Sequence, residues 1–398
     1  MNMISPSRQM TSDAQPGLRV TMLGLRGFPN VQGGVERHVE NLARELTRLG
    51  CSVEAVMRSP YVLKSTEANW QGIRISRLWS PRAKGIEPFV HTFFGVLRAA
   101  WTRPDILHIH GIGPAFFTPL ARVLGLKVVV THHMANYENE KWNGFARSIL
   151  RFGEWVGMRL SNGRIAVSPS LAERMAKAHG VNVRTIPNGI DPPLSIQPDS
   201  VLQSFGLMRD HYFLTVARID EQKRQLDAIA AFAQLERTGW KLVLVGGADY
   251  RSDYARKVEA AARSTPGVVM LGVKTGEALA ALYASAGAFV LPSSHEGQPI
   301  AVLEALSYGC PVVLSDISAH VEIGANGARY FPVGDTHALA AQLSAAIQGG
   351  RQTNRAEQAR ILRAHNWTRI AENTLEVYRA ALSARSGEPD CRSAVPSM

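Results

Sequence analysis

Short apolar runs rich in Val, Ile and Leu alternate with amphipathic helical stretches along most of the chain, and this alternation limits the possible folds more than any other feature. Several runs are nearly continuous in aliphatic residues, as is typical of strands covered on both faces. Strands that alternate with helices in this way predict parallel, doubly wound α/β sheets. The predicted strands are Val20–Leu25, Val53–Met57, Ile73–Leu78, Ile106–His110, Val128–Thr131, Ile165–Val167, Tyr212–Val216, Lys241–Val245, Val268–Leu271, Ala288–Leu291 and Pro311–Leu314.

A proline-rich stretch, Pro187–Ser200, interrupts this pattern near the middle of the 398 residues. Proline fixes φ and donates no backbone hydrogen bond, so the stretch predicts an interdomain linker. We predict two Rossmann-like domains, at residues 18–190 and 191–369, whose strands point their carboxyl ends into a shared cleft, where such sheets bind ligands. A helix at 370–384 is expected to pack back on the first domain. Residues 1–17 and 385–398 are predicted to be a disordered leader and tail.

The positive charge is concentrated in the first half. Residues 1–200 contain 24 Lys and Arg against 14 Asp and Glu, whereas residues 201–398 contain 20 against 19. The first half is therefore expected to meet an anionic partner, for which nucleic acid, anionic lipid and a pyrophosphate-bearing acceptor are candidates. Simple solubility is the alternative explanation.

The cysteines and the apolar segments bear on where the protein acts. Cys51, Cys310 and Cys391 lie far apart without metal or redox spacing, which favours a reducing compartment. No uninterrupted apolar run is long enough to span a membrane, so a cytoplasmic location is predicted. The aromatic stretch Glu87–Arg103 fits either an interfacial amphipathic helix or a core helix with two exposed arginines.

A long glycine-containing loop, Arg26–Gly34, joins the first predicted strand to a helix predicted at Val35–Leu49. Gly33 and Gly34 lie at the helix start, where free N–H groups and the helix dipole favour an anion. A tight turn that needs glycine is the alternative. The loop lacks the G-x-G-x-x-G pattern, and the second strand ends in Met57-Arg58-Ser59 without an acidic residue for a ribose, so NAD fits poorly.

A pair of acidic residues follows the strand Ala288–Leu291. Glu296 lies in the loop after it, and Glu304 lies one turn into the helix predicted at Ile300–Tyr308, with its side chain leaning back toward the loop. Glu304 is the only charged residue between positions 297 and 314, so it is expected to be buried and to need partners, which ribose hydroxyls can supply. An internal salt bridge or helix cap is the alternative.

A basic pair, Arg218 and Lys223, follows the strand Tyr212–Val216. Five residues apart, the two side chains can reach one diphosphate, Arg with a planar fork and Lys as a point charge. Surface cations paired with Asp220 and Glu221 are the alternative.

Together these motifs make the chain resemble the retaining GT-B glycosyltransferases of family 4, especially the branch that builds bacterial exopolysaccharide and lipopolysaccharide. The resemblance covers about residues 18–384, and its parts follow the order found in the family. The matching parts are Gly33-Gly34-Val35-Glu36, Thr131-His132-His133, Pro187-Asn188-Gly189-Ile190-Asp191, Ala217-Arg218 with Lys223, and Glu296 with Glu304 seven residues beyond.

The resemblance implies a GT-B fold, two Rossmann-like domains facing a central cleft. Glu304 would hold the nucleotide ribose, Arg218 and Lys223 the diphosphate, and Gly34 would approach the phosphates from across the cleft. Glu296 and the backbone after it would line the donor sugar, which His133 would contact. The residues expected in catalysis are His133, Arg218, Lys223 and Glu296, and those expected to bind the donor are Gly33, Gly34, Arg218, Lys223, Glu296, Gly297, Gln298, Pro299, Ile300 and Glu304.

The resemblance also implies a reaction. The family retains anomeric configuration by same-face displacement, without an established protein nucleophile. The donor would be a UDP- or GDP-sugar, and the acceptor a polyprenyl-diphosphate-linked glycan at the cytoplasmic face of the inner membrane, contacted peripherally. No cofactor or metal is expected, because no Asp-x-Asp occurs and His108 and His110, which alternate on one strand, lack a third ligand nearby in the sequence.

The chain departs from the family pattern at three places. Arg224 follows Lys223, where many members carry glycine, and the loop Glu296-Gly297-Gln298-Pro299 implies that contacts to the donor sugar can differ. Two histidines adjoin, and His133 is preferred over His132 because it keeps the usual distance to Lys141-Trp142. A packed core residue is the alternative for either histidine.

Two other functional classes compete with sugar transfer. A sugar-nucleotide epimerase or a phosphorylase would use the same architecture. A non-catalytic nucleic-acid-binding protein is suggested by charge alone, and the absence of aromatic–basic interleaving or a reader motif argues against a nucleic-acid partner.

Overall fold

The computed structural model describes residues 17–29, 31–62, 66–81, 85–135, 137, 144–236, 239–248 and 252–383. The predicted leader apart from its last residue, the predicted tail and the pair Lys141-Trp142 lie outside these ranges.

Within the described ranges, eight strands form the first sheet. They are β1 (Arg19–Leu23), β2 (Ser52–Arg58), β3 (Asn69–Trp70), β4 (Ile73–Leu78), β5 (Ile106–His110), β6 (Val128–His132), β7 (Gly163–Ala166) and β8 (Arg184–Thr185). Their order is β3-β4-β2-β1-β5-β6-β7-β8, and every neighbouring pair is parallel except β3 with β4. The helices of this half are α1 (Gly34–Arg48), α2 (Glu87–Thr102), α3 (Ile112–Ala115), α4 (Thr118–Val123), α5 (Gly144–Leu160) and α6 (Pro169–His179).

In the part of the second half that the structure describes, six parallel strands form the second sheet. They are β9 (Tyr212–Val216), β10 (Lys241–Val245), β11 (Val268–Gly272), β12 (Ala288–Leu291), β13 (Val312–Ser315) and β14 (Arg329–Phe331), in the order β11-β10-β9-β12-β13-β14. The helices of this half are α7 (Asp199–Ser204), α8 (Gln225–Phe232), α9 (Asp253–Ser264), α10 (Gly276–Ser285), α11 (Ile300–Ser307), α12 (Ser318–Val321), α13 (Thr336–Gly349), α14 (Arg355–Ala364) and α15 (Trp367–Ser383).

The predicted fold class, two parallel and doubly wound sheets, is confirmed. Five predicted strands begin and end where the sequence placed them, and the other six differ only at their ends. The sequence missed β3, β8 and β14, which have two or three residues each and lie at sheet edges. Such short edge strands carry too few residues to show a hydrophobic period.

The connection between the sheets is irregular up to Pro198, after which the unpredicted α7 begins. The last helix, α15, then returns to the first sheet, where its apolar face joins the same core as α1. Close to that crossing Ile190 and Asn366 form a parallel bridge, and the Tyr378 hydroxyl lies 2.7 Å from His108 Nδ1. The chain therefore passes between the two halves twice.

Membrane spans require long apolar helices. None of the helices in the described ranges meets that requirement.

Candidate active site

Two of the loops that carry predicted site residues, those after β1 and β9, leave their sheets where the strand order reverses. β1 lies between β2 and β5, and β9 lies between β10 and β12. Ligands of such sheets bind in the crevice beyond the carboxyl ends of these strands. Loops of the two halves meet there, because Gly247 N donates to Gln32 Oε1 at 3.2 Å and Asn188 Nδ2 donates to the Gln298 carbonyl at 2.8 Å.

The glycine loop after β1 is held by a buried ion pair. Arg26 Nε lies 3.0 Å from Glu36 Oε1, and Arg26 also donates to the Gln32 carbonyl. Burial raises the pKa of Glu36, but Arg26 outweighs it and holds that pKa below its ordinary value. A Cβ at Gly33 would lie 1.9 Å from Glu36 Oε2, so this pair requires glycine there. Among the described residues nothing lies within 4 Å of a Cβ placed at Gly34, so they leave the start of α1 open to a ligand.

Lys223 and Glu296 form an ion pair between the loops after β9 and β12. Lys223 Nζ lies 2.5 Å from Glu296 Oε1, to which Ser293 Oγ also donates at 2.8 Å. Burial raises the pKa of Glu296, but Lys223 outweighs it and the pKa is lowered. The structure thus pairs Lys223, which was predicted to bind the diphosphate, with Glu296, which was predicted to line the donor sugar, rather than with Asp220 or Glu221. Arg218 lies half-buried two residues beyond β9.

The loop before α11 packs directly against the first domain. A Cβ at Gly297 would lie 1.6 Å from the His133 carbonyl oxygen, so the backbones touch across the cleft. The Gln298 side chain is already bonded at the domain junction, where its Oε1 accepts a hydrogen bond from Asn188 N at 2.6 Å. Pro299 is the N-cap of α11 and Ile300 its first residue.

Glu304 is engaged by two side chains. Arg37 Nη2 lies 3.1 Å from Oε1, and the Tyr283 hydroxyl donates to Oε2 at 3.0 Å. Burial raises the pKa of Glu304, although Arg37 opposes this. The internal salt bridge considered as an alternative from the sequence is present, and its cation comes from the opposite domain.

The two adjacent histidines occupy different environments. His132 is fully buried, and its Nε2 donates to Glu154 Oε2 at 2.8 Å. His133 is partly exposed at the cleft, with its Nε2 3.2 Å from His110 Nδ1. Burial, with neighbouring histidines, lowers the pKa of His133 well below its ordinary value, so the ring is neutral at pH 7.

Three histidines cluster where β5, β6 and α1 meet. One ring nitrogen each from His38, His110 and His133 lies within 4.8 Å of the others, so the cluster can offer three neutral ligands to a metal ion. No third ligand for His110 was apparent in the sequence, because these residues are distant along the chain. His108 is not in the cluster; it bonds Tyr378 and Thr131, each at 2.7 Å.

A cavity of about 320 Å³ lies between the two domains beside this contact. Glu296 and Gly297 line it from the second domain, and Met134 and Ser168 line it from the first. Of the predicted site residues only Glu296 and Gly297 border this cavity.

Sequence reasoning missed Arg37 and His38. Both lie in the first turns of α1, with two residues between them and the glycine pair. His38 Nδ1 donates to Asn188 Oδ1 at 2.9 Å, which ties it to the domain junction. Their position near the N-terminus of a helix that begins at the cleft was the available signal.

Two family models match the chain. Residues 32–193 match Glycosyltransferase Family 4, and residues 210–349 match Glycosyl transferases group 1. The chain is 27% identical over 430 residues to glycogen synthase of Mycobacterium tuberculosis, covering 95% of this chain and 98% of the relative. It is 28% identical over 391 residues to phosphatidyl-myo-inositol mannosyltransferase of Mycobacterium leprae, covering 93% and 98%.

A solved structure shares the fold. Anabaena HepE in complex with UDP-glucose superposes with a TM-score of 0.69 at 18% identity, covering 92% of this chain and 98% of that one. The two family matches follow one another along the chain and together account for most of it. The chain therefore belongs to the family 4, group 1 glycosyltransferases, which have the GT-B fold.

Proposed function

We propose that the protein is a retaining, metal-independent glycosyltransferase that moves a sugar from a UDP- or GDP-sugar to a lipid-diphosphate-linked oligosaccharide in cell-surface polysaccharide biosynthesis. The observation that carries this proposal is the contact between Gly297 and the His133 carbonyl. It places the Lys223–Glu296 pair beside the opposite domain, and Glu296 and Gly297 border the cavity between the two domains.

The donor is bound mainly by the second domain. Glu304 accepts the ribose hydroxyls, and Arg218 and Lys223 meet the diphosphate. Gly33 and Gly34 bring the positive end of α1 toward the phosphates from across the cleft. These fixed positive groups stabilise the charge that develops on the departing diphosphate, a task that a metal ion performs in other enzymes. The UDP-glucose bound to HepE supports a UDP-sugar as one candidate donor.

The reaction replaces one bond at the anomeric carbon by another on the same face. The bond to the diphosphate oxygen breaks, the acceptor hydroxyl oxygen bonds to the carbon, and its proton passes to the departing phosphate. His133, neutral because its pKa is lowered by burial, serves as a hydrogen-bonding group toward the sugar. Glu296, kept ionised by Lys223, accepts hydrogen bonds from sugar hydroxyls.

The acceptor is proposed to be presented at the cytoplasmic face of the inner membrane, which the protein contacts peripherally. The Mycobacterium leprae relative is named for a lipid, phosphatidyl-myo-inositol. Large apolar side chains are exposed on α2 and also on α5, which the sequence did not single out, and Trp101 is 89% exposed. The exposed residues are Phe93, Phe94, Leu97 and Trp101 on α2, and Phe145, Phe152, Trp155 and Leu160 on α5.

The charge of these two helices suits an anionic surface. Their only acidic residues, Glu87 and Glu154, are buried and paired with Arg58 and His132. The remaining charged groups of α2 and α5 are cationic. Aromatic rings with positive charge beside them are typical of surfaces that lie in an anionic lipid interface. The cationic residues are Arg98, Arg147, Arg151 and Arg159.

Donor binding tests the core of the proposal. The melting temperature should rise with UDP or GDP, without Mg²⁺, because a ligand of the folded state stabilises it by mass action. dTDP and ADP serve as comparisons, and transfer of sugar to a lipid-diphosphate glycan should follow with the nucleotide that binds. A shift with none of the four nucleotides would contradict the proposal. Turnover of the sugar nucleotide without acceptor would favour an epimerase. A requirement for phosphate would favour a phosphorylase.

Membrane contact is tested by sedimentation with vesicles. The protein should bind vesicles containing phosphatidylglycerol and not pure phosphatidylcholine vesicles. Trp101→Ser should weaken this binding, whereas Met208→Ser, which removes an exposed apolar side chain from the second domain, should not. Equal binding by all three proteins would contradict the assignment of the surface.

A further inference from the structure

The carboxylate that is proposed to receive the donor ribose is held by an arginine of the opposite domain. Arg37 Nη2 lies 3.1 Å from Glu304 Oε1 and 3.2 Å from Asp191 Oδ2. Tyr283 donates to the other oxygen of Glu304 at 3.0 Å. Both carboxylate oxygens therefore already have a hydrogen-bond donor.

The burial of the two partners differs. The Glu304 side chain is 14% exposed and the Arg37 side chain 46% exposed. A carboxylate with so little exposure is unfavourable when it stands alone, because it has lost most of its hydration. Arg37 supplies the compensating charge, and its exposed guanidinium can be removed with little loss of packing.

Asp191 provides a second acceptor for the same guanidinium. It lies within the junction between the domains, and its Oδ1 accepts from Arg44 Nη2 at 3.1 Å. If Arg37 releases Glu304, it keeps its bond to Asp191 and remains paired. The exchange therefore leaves no unpaired charge on the side of Arg37.

We propose that Arg37 is a positioning residue that holds Glu304 in place while the donor site is empty, and that the ribose hydroxyls displace it onto Asp191. This inference rests on the ribose role of Glu304 in the proposed function. Because Arg37 lies on α1 and Glu304 on α11, each donor that binds breaks one link between the domains. Donor binding and loosening of this link are then the same event.

The test compares nucleotides with and without ribose hydroxyls, UDP against 2′,3′-dideoxy-UDP and GDP against 2′,3′-dideoxy-GDP. The ratio of the Kd of the dideoxy nucleotide to the Kd of the nucleotide with both hydroxyls reports the hydroxyl contacts. General attraction between the phosphates and a positive charge cancels in this ratio. Arg37→Gln should raise this ratio by about two- to five-fold, the range expected when a partly exposed ion pair no longer competes. Arg37→Met should do the same.

Arg44→Gln is the matched control, because it removes the same charge from the same helix and from Asp191 but has no bond to Glu304. Its ratio should stay at the wild-type value. In a Glu304→Gln background, Arg37→Gln should no longer change the ratio.

An unchanged or lower ratio in Arg37→Gln would overturn the inference, since a lower ratio means that Arg37 helps to bind the ribose. Nucleotide binding by the wild type that ignores the hydroxyls would instead contradict the ribose role of Glu304. Melting temperatures near the wild-type value establish that the variants are folded.

Discussion

Gly297→Ala should remove most of the transferase activity without unfolding the protein. The new Cβ would lie 1.6 Å from the His133 carbonyl oxygen, and such contacts essentially never fall below 3.0 Å, so the two loops must separate by at least about 1.4 Å. Misplacement by 1 Å can cost about 100-fold in rate, so kcat should fall by about 100-fold, or about 2.7 kcal/mol in the barrier.

The same substitution should spare the fold and nucleotide binding. Gly297 does not have a positive φ, so alanine adds no backbone strain. Arg218 and Glu304, which are proposed to hold the nucleotide, lie in the second domain and do not need the contact with His133. The Kd for the nucleotide and the melting temperature should therefore remain close to the wild-type values.

The assay measures kcat and KM for sugar transfer, the nucleotide Kd by calorimetry, and the melting temperature. Gly144→Ala is the control, because a Cβ there meets none of the described residues within 4 Å. It should retain wild-type kcat. Wild-type kcat in Gly297→Ala as well would refute the reasoning, because the closed contact would then not be the geometry in which transfer occurs.

Three further predictions concern the diphosphate ligand, metals and pH. Lys223→Ala should lower kcat by about 100-fold or more with the fold intact, because one hydrogen-bond donor to the developing negative charge is lost. Lys257→Ala on the exposed face of α9 is the control. Wild-type kcat in Lys223→Ala would contradict the assignment of Lys223 to the diphosphate. EDTA should leave the transfer rate unchanged, whereas a loss reversed by one divalent ion would direct attention to the cluster of His38, His110 and His133. Burial, with Arg58 adding to it, lowers the pKa of His91 from 6.5 to about 4, so stability should be lost as pH falls through that interval. His91→Asn should reduce the slope of the unfolding free energy against pH there by about 1.4 kcal/mol per unit, and an unchanged slope would contradict this.

The local pattern of apolar residues was sufficient to predict the two sheets, because their central strands are apolar along their whole length. Strands such as Lys241–Val245 carry that signal within five residues, whereas β8 has only two residues and its pairing depends on β7. The helix α7 begins at the end of the proline-rich stretch and has only six residues, too few to show a helical period, so it was not predicted.

The site could be predicted in part. The acidic and basic pairs follow strands that the sequence reveals, so their place at the carboxyl edge could be inferred. The ion pairs that these residues form could not be predicted, because contacts across separate loops and domains depend on tertiary packing. Lys223 pairs with Glu296, and Glu304 pairs with Arg37. The partner of Glu304 belongs to a helix about 270 residues earlier in the chain, as the numbering shows.

The return of α15 to the first sheet has a consequence for how the protein is made. The core around α1 includes Trp367, Ile370, Leu375 and Tyr378, the last part of the described chain to leave the ribosome. Domains usually fold during synthesis from the N-terminus onward. Here the amino-terminal domain must wait with an open apolar face until the second domain has been translated. A nascent chain that stops before residue 367 would therefore expose that face, and a truncation at the carboxyl end would destabilise the domain farthest from it in the sequence.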